Sequence, residues 1–430
     1  MVLILLLIFA GLLLLGAPIL AAMGLSTWVA LVLNGQAGNL LAQTSFHGMS
    51  AFTFLAIPLF VLAGEIMDKG GITARMANFV IVLVGWLSGG LGISVVLGTM
   101  LFSGISGSVN ADAAAIGSVM IPLMVKAGYR KEWASSIVAA SAGTGVLIPP
   151  SITMIVLGTI AGLSIKQLFL ASLLPAMLIG IGKAVVIWYK ARTGLEPSNE
   201  DIKFSWGDVA RAAIDAVPAL LAPVIILGGI LSGVFTATEA AAVSVVYAGL
   251  LGVFVYKEIT WEKAAKMLVA VARLTGVVVG LIGVASAVAY FMAYTQASLA
   301  MADLAGSIID NHLLFVSLLM VLFWLMGALL DGIPALVILV PLFTPMAGHV
   351  GMSPLHFAIF ALAVTGISLV TPPLGSACFV VTSLARVEMR TLFRPMWPFI
   401  AIMFGTILLL AYVPWFSLAL PGLWGGYVGP

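Results

Sequence analysis

Residues 103–151 read SGISGSVNADAAAIGSVMIPLMVKAGYRKEWASSIVAASAGTGVLIPPS, and residues 326–374 read MGALLDGIPALVILVPLFTPMAGHVGMSPLHFAIFALAVTGISLVTPPL. Sliding the first stretch onto the second by a constant step superposes Gly104 on Gly327, Pro122 on Pro345, Gly128 on Gly351, Gly143 on Gly366, and Pro149-Pro150 on Pro372-Pro373 (327 − 104 = 223; 372 − 149 = 223). No gap is needed. Glycine and proline dictate backbone shape more than side-chain packing does, so a shared Gly/Pro skeleton implies a shared backbone path. The chain reads as an internal duplication.

Around this repeat, 62% of the 430 residues are hydrophobic and 8% are charged, where a soluble domain carries roughly a quarter charged. Apolar runs of about 20 residues, enough to cross a bilayer, recur throughout. These runs are uniformly apolar rather than alternating, which excludes a β-barrel. The expected class is an all-α polytopic membrane protein with the lipid bilayer as its solvent. The first charged residue is Glu65 and the first cation Lys69, so Met1–Leu33 reads as a retained spanning helix rather than a cleaved signal. A single cysteine, Cys378, excludes an internal disulfide and a cysteine-based metal cluster. A net charge of +2 gives no reason to expect nucleic acid as a partner. His47, His312, His349 and His356 are scattered, without paired spacing for haem or metal.

Punctuation divides the chain into a first repeat over 1–193, a polar linker over 194–212 and a second repeat over 213–430. Each repeat is expected to hold a surface arm (Asn34–Ser50; 257–270), a hairpin (92–126; 313–347) and a broken helix (132–163; 357–384). The first hairpin has membrane-grade ends and a small, polar centre: Ser103, Gly104, Ser106, Gly107, Ser108, Asn110 and Asp112. A re-entrant hairpin with that tip tucked into protein leaves fewer polar groups in lipid than one continuous helix. Gly143-Thr144-Gly145 and Pro149-Pro150 must unwind the helix that follows. Lys and Arg concentrate at 126–131, 190–211, 257–273 and 386–394, which marks these loops as cytoplasmic. Counting crossings between them brings the two hairpins in from opposite sides, so the repeats are inverted.

Inverted repeats with broken helices are the build of secondary transporters. Their free carbonyls suit small cations and their helix N-termini suit carboxylates. Asp112 and Asp331 are rare acids at membrane depth. Asp112 has two readings, a functional carboxylate or a cap of the hairpin's second helix. Asp331 reads as the stronger functional candidate, because nothing near it in sequence neutralises it. Glu239 after Thr236-Ala237-Thr238 reads as a capping residue. An aspartyl protease built on the two acids is disfavoured, since neither lies in a Gly-x-Gly-Asp motif.

At these residues the sequence resembles the large membrane subunit of tripartite ATP-independent periplasmic (TRAP) transporters, the DctM-like family. The marks are Gly107-Ser108 with Ala111–Ser118, Ile121-Pro122, Gly128-Tyr129, Ile148-Pro149-Pro150-Ser151-Ile152, Phe235-Thr236 with Thr238–Ala241, and Thr371-Pro372-Pro373 with Gly375. Ala237 departs from the proline usual there. The resemblance implies an elevator-type importer in a bacterial inner membrane, driven by Na⁺ and carrying a carboxylate such as a C4-dicarboxylate or sialic acid. It also implies two partners, a small four-helix membrane (Q) subunit and a periplasmic substrate-binding (P) protein. By motif position, Ser103, Ser106, Gly143, Gly145, Ile148 and Pro150 are expected at one Na⁺ site. Gly327, Gly366, Ser368, Thr371 and Pro373 are expected at the other. Ser106, Asn110, Ser151 and Asp331 are the candidates for cargo contact. The competing reading is a stand-alone Na⁺/carboxylate symporter that needs no binding protein.

Overall fold

The computed structural model describes residues 2–198, 204–296, 312–424 and 426. Glu200, Asp201 and Lys203 of the linker, and the side chains of His312 and His349, lie outside the described residues.

Proline and glycine cut the first apolar run into two helices, α1 (Val2–Leu14) and α2 (Ile19–Leu33), which pack on each other. The single span expected over Met1–Leu33 is therefore interrupted: Gly16 takes a left-handed φ of 80° and Pro18 cannot donate to a continuing helix. The chain continues through α3 (Leu40–Met49), α4 (Ala56–Lys69) and α5 (Ile72–Val84). The first hairpin is α6 (Gly90–Ser106) and α7 (Val109–Lys126). The broken helix is α8 (Lys131–Ala142) and α9 (Ile152–Ile160), followed by α10 (Ile165–Arg192). Beyond the linker come α11 (Trp206–Ser232), α12 (Ala237–Leu250) and α13 (Trp261–Tyr294). The second hairpin is α14 (His312–Leu330) and α15 (Gly332–His349). The second broken helix is α16 (Pro354–Ser368) and α17 (Ser376–Ala385), and α18 (Met389–Tyr412) and α19 (Trp415–Trp424) end the fold.

The step of 223 found in the sequence holds for whole elements. Adding it to 109 and 126, the bounds of α7, gives 332 and 349, the bounds of α15. Both Pro-Pro bonds, Pro149-Pro150 and Pro372-Pro373, are cis. The arms differ between copies. In the first, α3 and the segment Phe52–Lys69 are bent at 62° to one another. In the second, the arm expected at 257–270 is not a separate element, because α13 runs unbroken through 34 residues from Trp261.

The two copies pack crosswise. The first hairpin lies on α8 and on α17, and the second lies on α16, with α15 also against α9. The leading half of each broken helix contacts the trailing half of the other, α8 against α17 and α16 against α9. Eight helices among the described residues are long and apolar enough to cross a membrane, or nine if the bent pair counts as one span. The span Lys131–Ile160 is 83% buried along its most apolar window, against 28% for α11. The broken helices form the centre, and α11 belongs to a lipid-facing frame with α1–α5, α12 and α13.

Candidate functional site

Each broken helix meets the tip of its own hairpin. In the first copy the tip closes at Gly107, whose φ is 57°, and α7 starts with Ser108 as its cap, accepting from Ala111 N. Asp112 is therefore not the cap. Its side chain turns inward with 0% exposure, and its two carboxylate oxygens accept from Ser103 Oγ and Ser106 Oγ. The break faces the same group. A Cβ on Gly145 would overlap Asp112 Oδ2 and lie 2.7 Å from Ser103 Oγ. A Cβ on Gly104 would lie 3.1 Å from Pro149 O. Ser103, Ser106, Gly145 and the Pro149–Ser151 segment thus form one cluster, as the sequence suggests.

The other face of this break is held by a residue that sequence reasoning missed. Lys183, in the middle of α10, is 0% exposed and donates to Ala140 O and Thr144 Oγ1. The helix leaves the Ala140 carbonyl free at the break, and the ammonium takes it. The available signal was a lone lysine in the apolar run 168–188, the pattern that marks a working residue inside a membrane.

In the second copy, Gly327 lies against Ser368 Oγ and Thr365, and Thr371 Oγ1 accepts from Trp324 Nε1 at 3.3 Å. Gly327, Ser368 and Thr371 are thus brought together. Asp331 falls at the register of Ser108 (331 − 223 = 108) and caps α15, accepting from Gly332 N at 2.9 Å. Of the two readings of Asp112 the cap therefore falls and the inward carboxylate stands, while Asp331, read as the stronger functional candidate, is itself a helix cap. Gly143 and Gly366 are turned toward each other rather than toward the hairpin tips, so their backbones join the two breaks. Glu239 completes a capping box with Thr236. His356 is buried and bonds Ser417 at 2.6 Å.

A cavity of about 350 Å³ opens between the frame and the first hairpin. Its frame side carries Glu65, Asp68 and Lys69 of α4, and its hairpin side carries Ser106, Ser108, Ala111 and Ile152. Glu65 and Asp68 therefore face the cleft. Adjacent in sequence to this wall, the Ser151 hydroxyl and Asn110 Oδ1 are buried and find no hydrogen-bond partner among the described residues. Most buried polar groups are paired, so these two stand out. Asp331 does not line this cavity.

The family model described as "Tripartite ATP-independent periplasmic transporter, DctM component" matches residues 6–416. The sialic acid TRAP transporter large permease protein SiaM of Vibrio cholerae is 36% identical over 97% of this chain and 97% of its own length. The isethionate TRAP transporter permease protein DctMQ of Oleidesulfovibrio alaskensis is 33% identical, with the match covering 94% of this chain and 64% of that protein. Among solved structures, the YdaH transporter of Alcanivorax borkumensis superposes with a TM-score of 0.64 at 17% identity, over 89% of this chain and 88% of that one.

Proposed function

Because the chain belongs to the DctM component family of tripartite ATP-independent periplasmic transporters, we propose that it is the large membrane subunit of a Na⁺-coupled importer of a carboxylate such as sialic acid or a C4-dicarboxylate. In this reading a periplasmic binding protein delivers the cargo, and a small membrane subunit braces the frame in a bacterial inner membrane. The fused relative, whose extra length this chain does not cover, supports the second partner.

The observation that carries the reading is the meeting of hairpin tip and helix break in the first copy. Ser103, Ser106 and Gly145 converge there around Asp112, and Ile148 and Pro150 bring the carbonyls of the same break. Hydroxyls and unwound carbonyls are the donor set that transporters offer to Na⁺. Gly327, Ser368, Thr371 and Pro373 make the corresponding set in the second copy. Bound Na⁺ supplies the positive charge and the gradient. The chain's own residues do the rest. Ser151 donates its hydroxyl to the carboxylate beside Ser106, whose own proton is held by Asp112, and the Asn110 amide offers N–H on rotation about its terminal bond. Asp331 accepts from a cargo hydroxyl. The hairpins and broken helices then move as one body against the frame, carrying the cleft from one side to the other.

The test is uptake of labelled carboxylates into proteoliposomes holding this chain and its small subunit, with and without binding protein, under an inward Na⁺ or K⁺ gradient. Uptake that needs both Na⁺ and the binding protein supports the proposal. Uptake indifferent to the binding protein would move the reading to a stand-alone symporter, and equal drive by K⁺ would overturn the Na⁺ sites.

A further inference from the structure

A carboxyl group buried at membrane depth is costly unless a cation or a full set of donors compensates it. Asp112 is 0% exposed, and among the described residues no lysine, arginine or histidine forms an ion pair with it. Among the described residues its side-chain partners are two hydroxyls, Ser103 and Ser106, one on each oxygen. A hydroxyl that donates its proton keeps its lone pairs free for another partner. Those two hydroxyls are the ones assigned above to the first cation. Gly145 brings the break's backbone to the same carboxylate, an approach that any side chain at that position would block.

The second copy has none of this chemistry. At the constant step of 223, Ser103 falls on Met326, Ser106 on Leu329 and Asp112 on Ala335 (335 − 112 = 223). The one acid near that tip, Asp331, is engaged on Gly332 N. Two backbones of the same shape therefore enclose unlike sites, one with a fixed carboxylate and one built of neutral oxygens.

Resting on the Na⁺-coupled reading above, we propose that Asp112 is the built-in negative charge of the first cation site. It holds the Ser103 and Ser106 lone pairs toward the ion and balances its charge. The first ion therefore enters the empty carrier, with no cargo carboxylate needed to balance its charge.

The experiment is a Na⁺ titration of the full chain with its small subunit in lipid nanodiscs, at constant ionic strength against K⁺ and with no carboxylate present, read as the thermal unfolding midpoint. Wild type should show stabilisation with a single Na⁺ midpoint, and Asp112→Asn should move that midpoint at least tenfold higher. A wild type that responds equally to K⁺ would sink the Na⁺ reading and this proposal with it. A variant titrating at the wild-type midpoint would sink the role of Asp112 alone. Should the variant not fold, wild-type protein is treated with a hydrophobic carbodiimide and mapped by mass spectrometry. Protection of Asp112 by Na⁺ but not K⁺ supports the assignment, and labelling indifferent to Na⁺ overturns it.

Discussion

Gly143 and Gly366 sit with each carbonyl oxygen aimed at the other's α-carbon. A Cβ on Gly366 would fall 2.7 Å from Gly143 O, and one on Gly143 would fall 2.9 Å from Gly366 O. The two residues are 223 apart (366 − 143), so the pseudo-symmetry axis runs between them. A methyl at either position meets backbone, which cannot swing aside as a side chain can. Gly143→Ala and Gly366→Ala should each destabilise by about 1–3 kcal/mol, and by similar amounts, since they disturb one contact from its two sides. Thermal unfolding of the two variants checks this. A large difference between them would mean that the breaks do not meet symmetrically.

The Ser151 hydroxyl has no partner among the described residues. Ser151→Ala should therefore leave stability within about 0.5 kcal/mol of wild type, while raising the KM for carboxylate uptake. A lowered unfolding temperature with unchanged KM would make Ser151 a structural residue.

Asp331 holds φ 74° and ψ 167°, a region nearly reserved for glycine, at about 1–3 kcal/mol for other residues. Loss of its cap to glycine costs only a few tenths of that. Asp331→Gly should thus raise the unfolding temperature and lower uptake together. Stabilisation with full uptake would remove Asp331 from the cargo site.

Lys183→Met leaves the Ala140 carbonyl and Thr144 hydroxyl without the ammonium that bonds both. Orphaning them should cost about 1–3 kcal/mol. Adding Thr144→Val should then cost less than it does in wild type, because the two residues share one interaction. Strict additivity in the double-mutant cycle would contradict the contact.

Ala237 follows the cap Thr236 as the first residue of α12. Proline suits that position, where the N–H has no helical acceptor. Ala237→Pro should stabilise by about 0.4–1 kcal/mol with uptake unchanged, measured on the same preparation.

The parts of this fold that depend on backbone shape were legible in the sequence. Gly104, Gly143 and the Pro-Pro pairs set tips and breaks that recur 223 residues later. What escaped depends on side-chain direction. Whether Ser108 or Asp112 caps α7 is decided by where the helix starts after Gly107, and a shift of one turn exchanges a surface cap for an inward carboxylate. The chemistry near Asp112 and Lys183 was hidden from the repeat itself, because their counterparts are Ala335 and Thr406 (406 − 183 = 223). The bend between α3 and α4, absent from α13, leaves no Gly/Pro mark shared by the two copies.

The inverted duplication has an electrical consequence. A helix carries a macrodipole along its axis, and here the duplicated helices have counterparts that run the opposite way through the bilayer. Summed along the membrane normal, these backbone dipoles cancel. A membrane potential of 100 mV does about 2.3 kcal/mol of work on each elementary charge that crosses it. With the backbone contribution cancelled, the charges of the chain on which that work falls are the side chains buried at membrane depth, Asp112 beside the first break and Lys183 behind it.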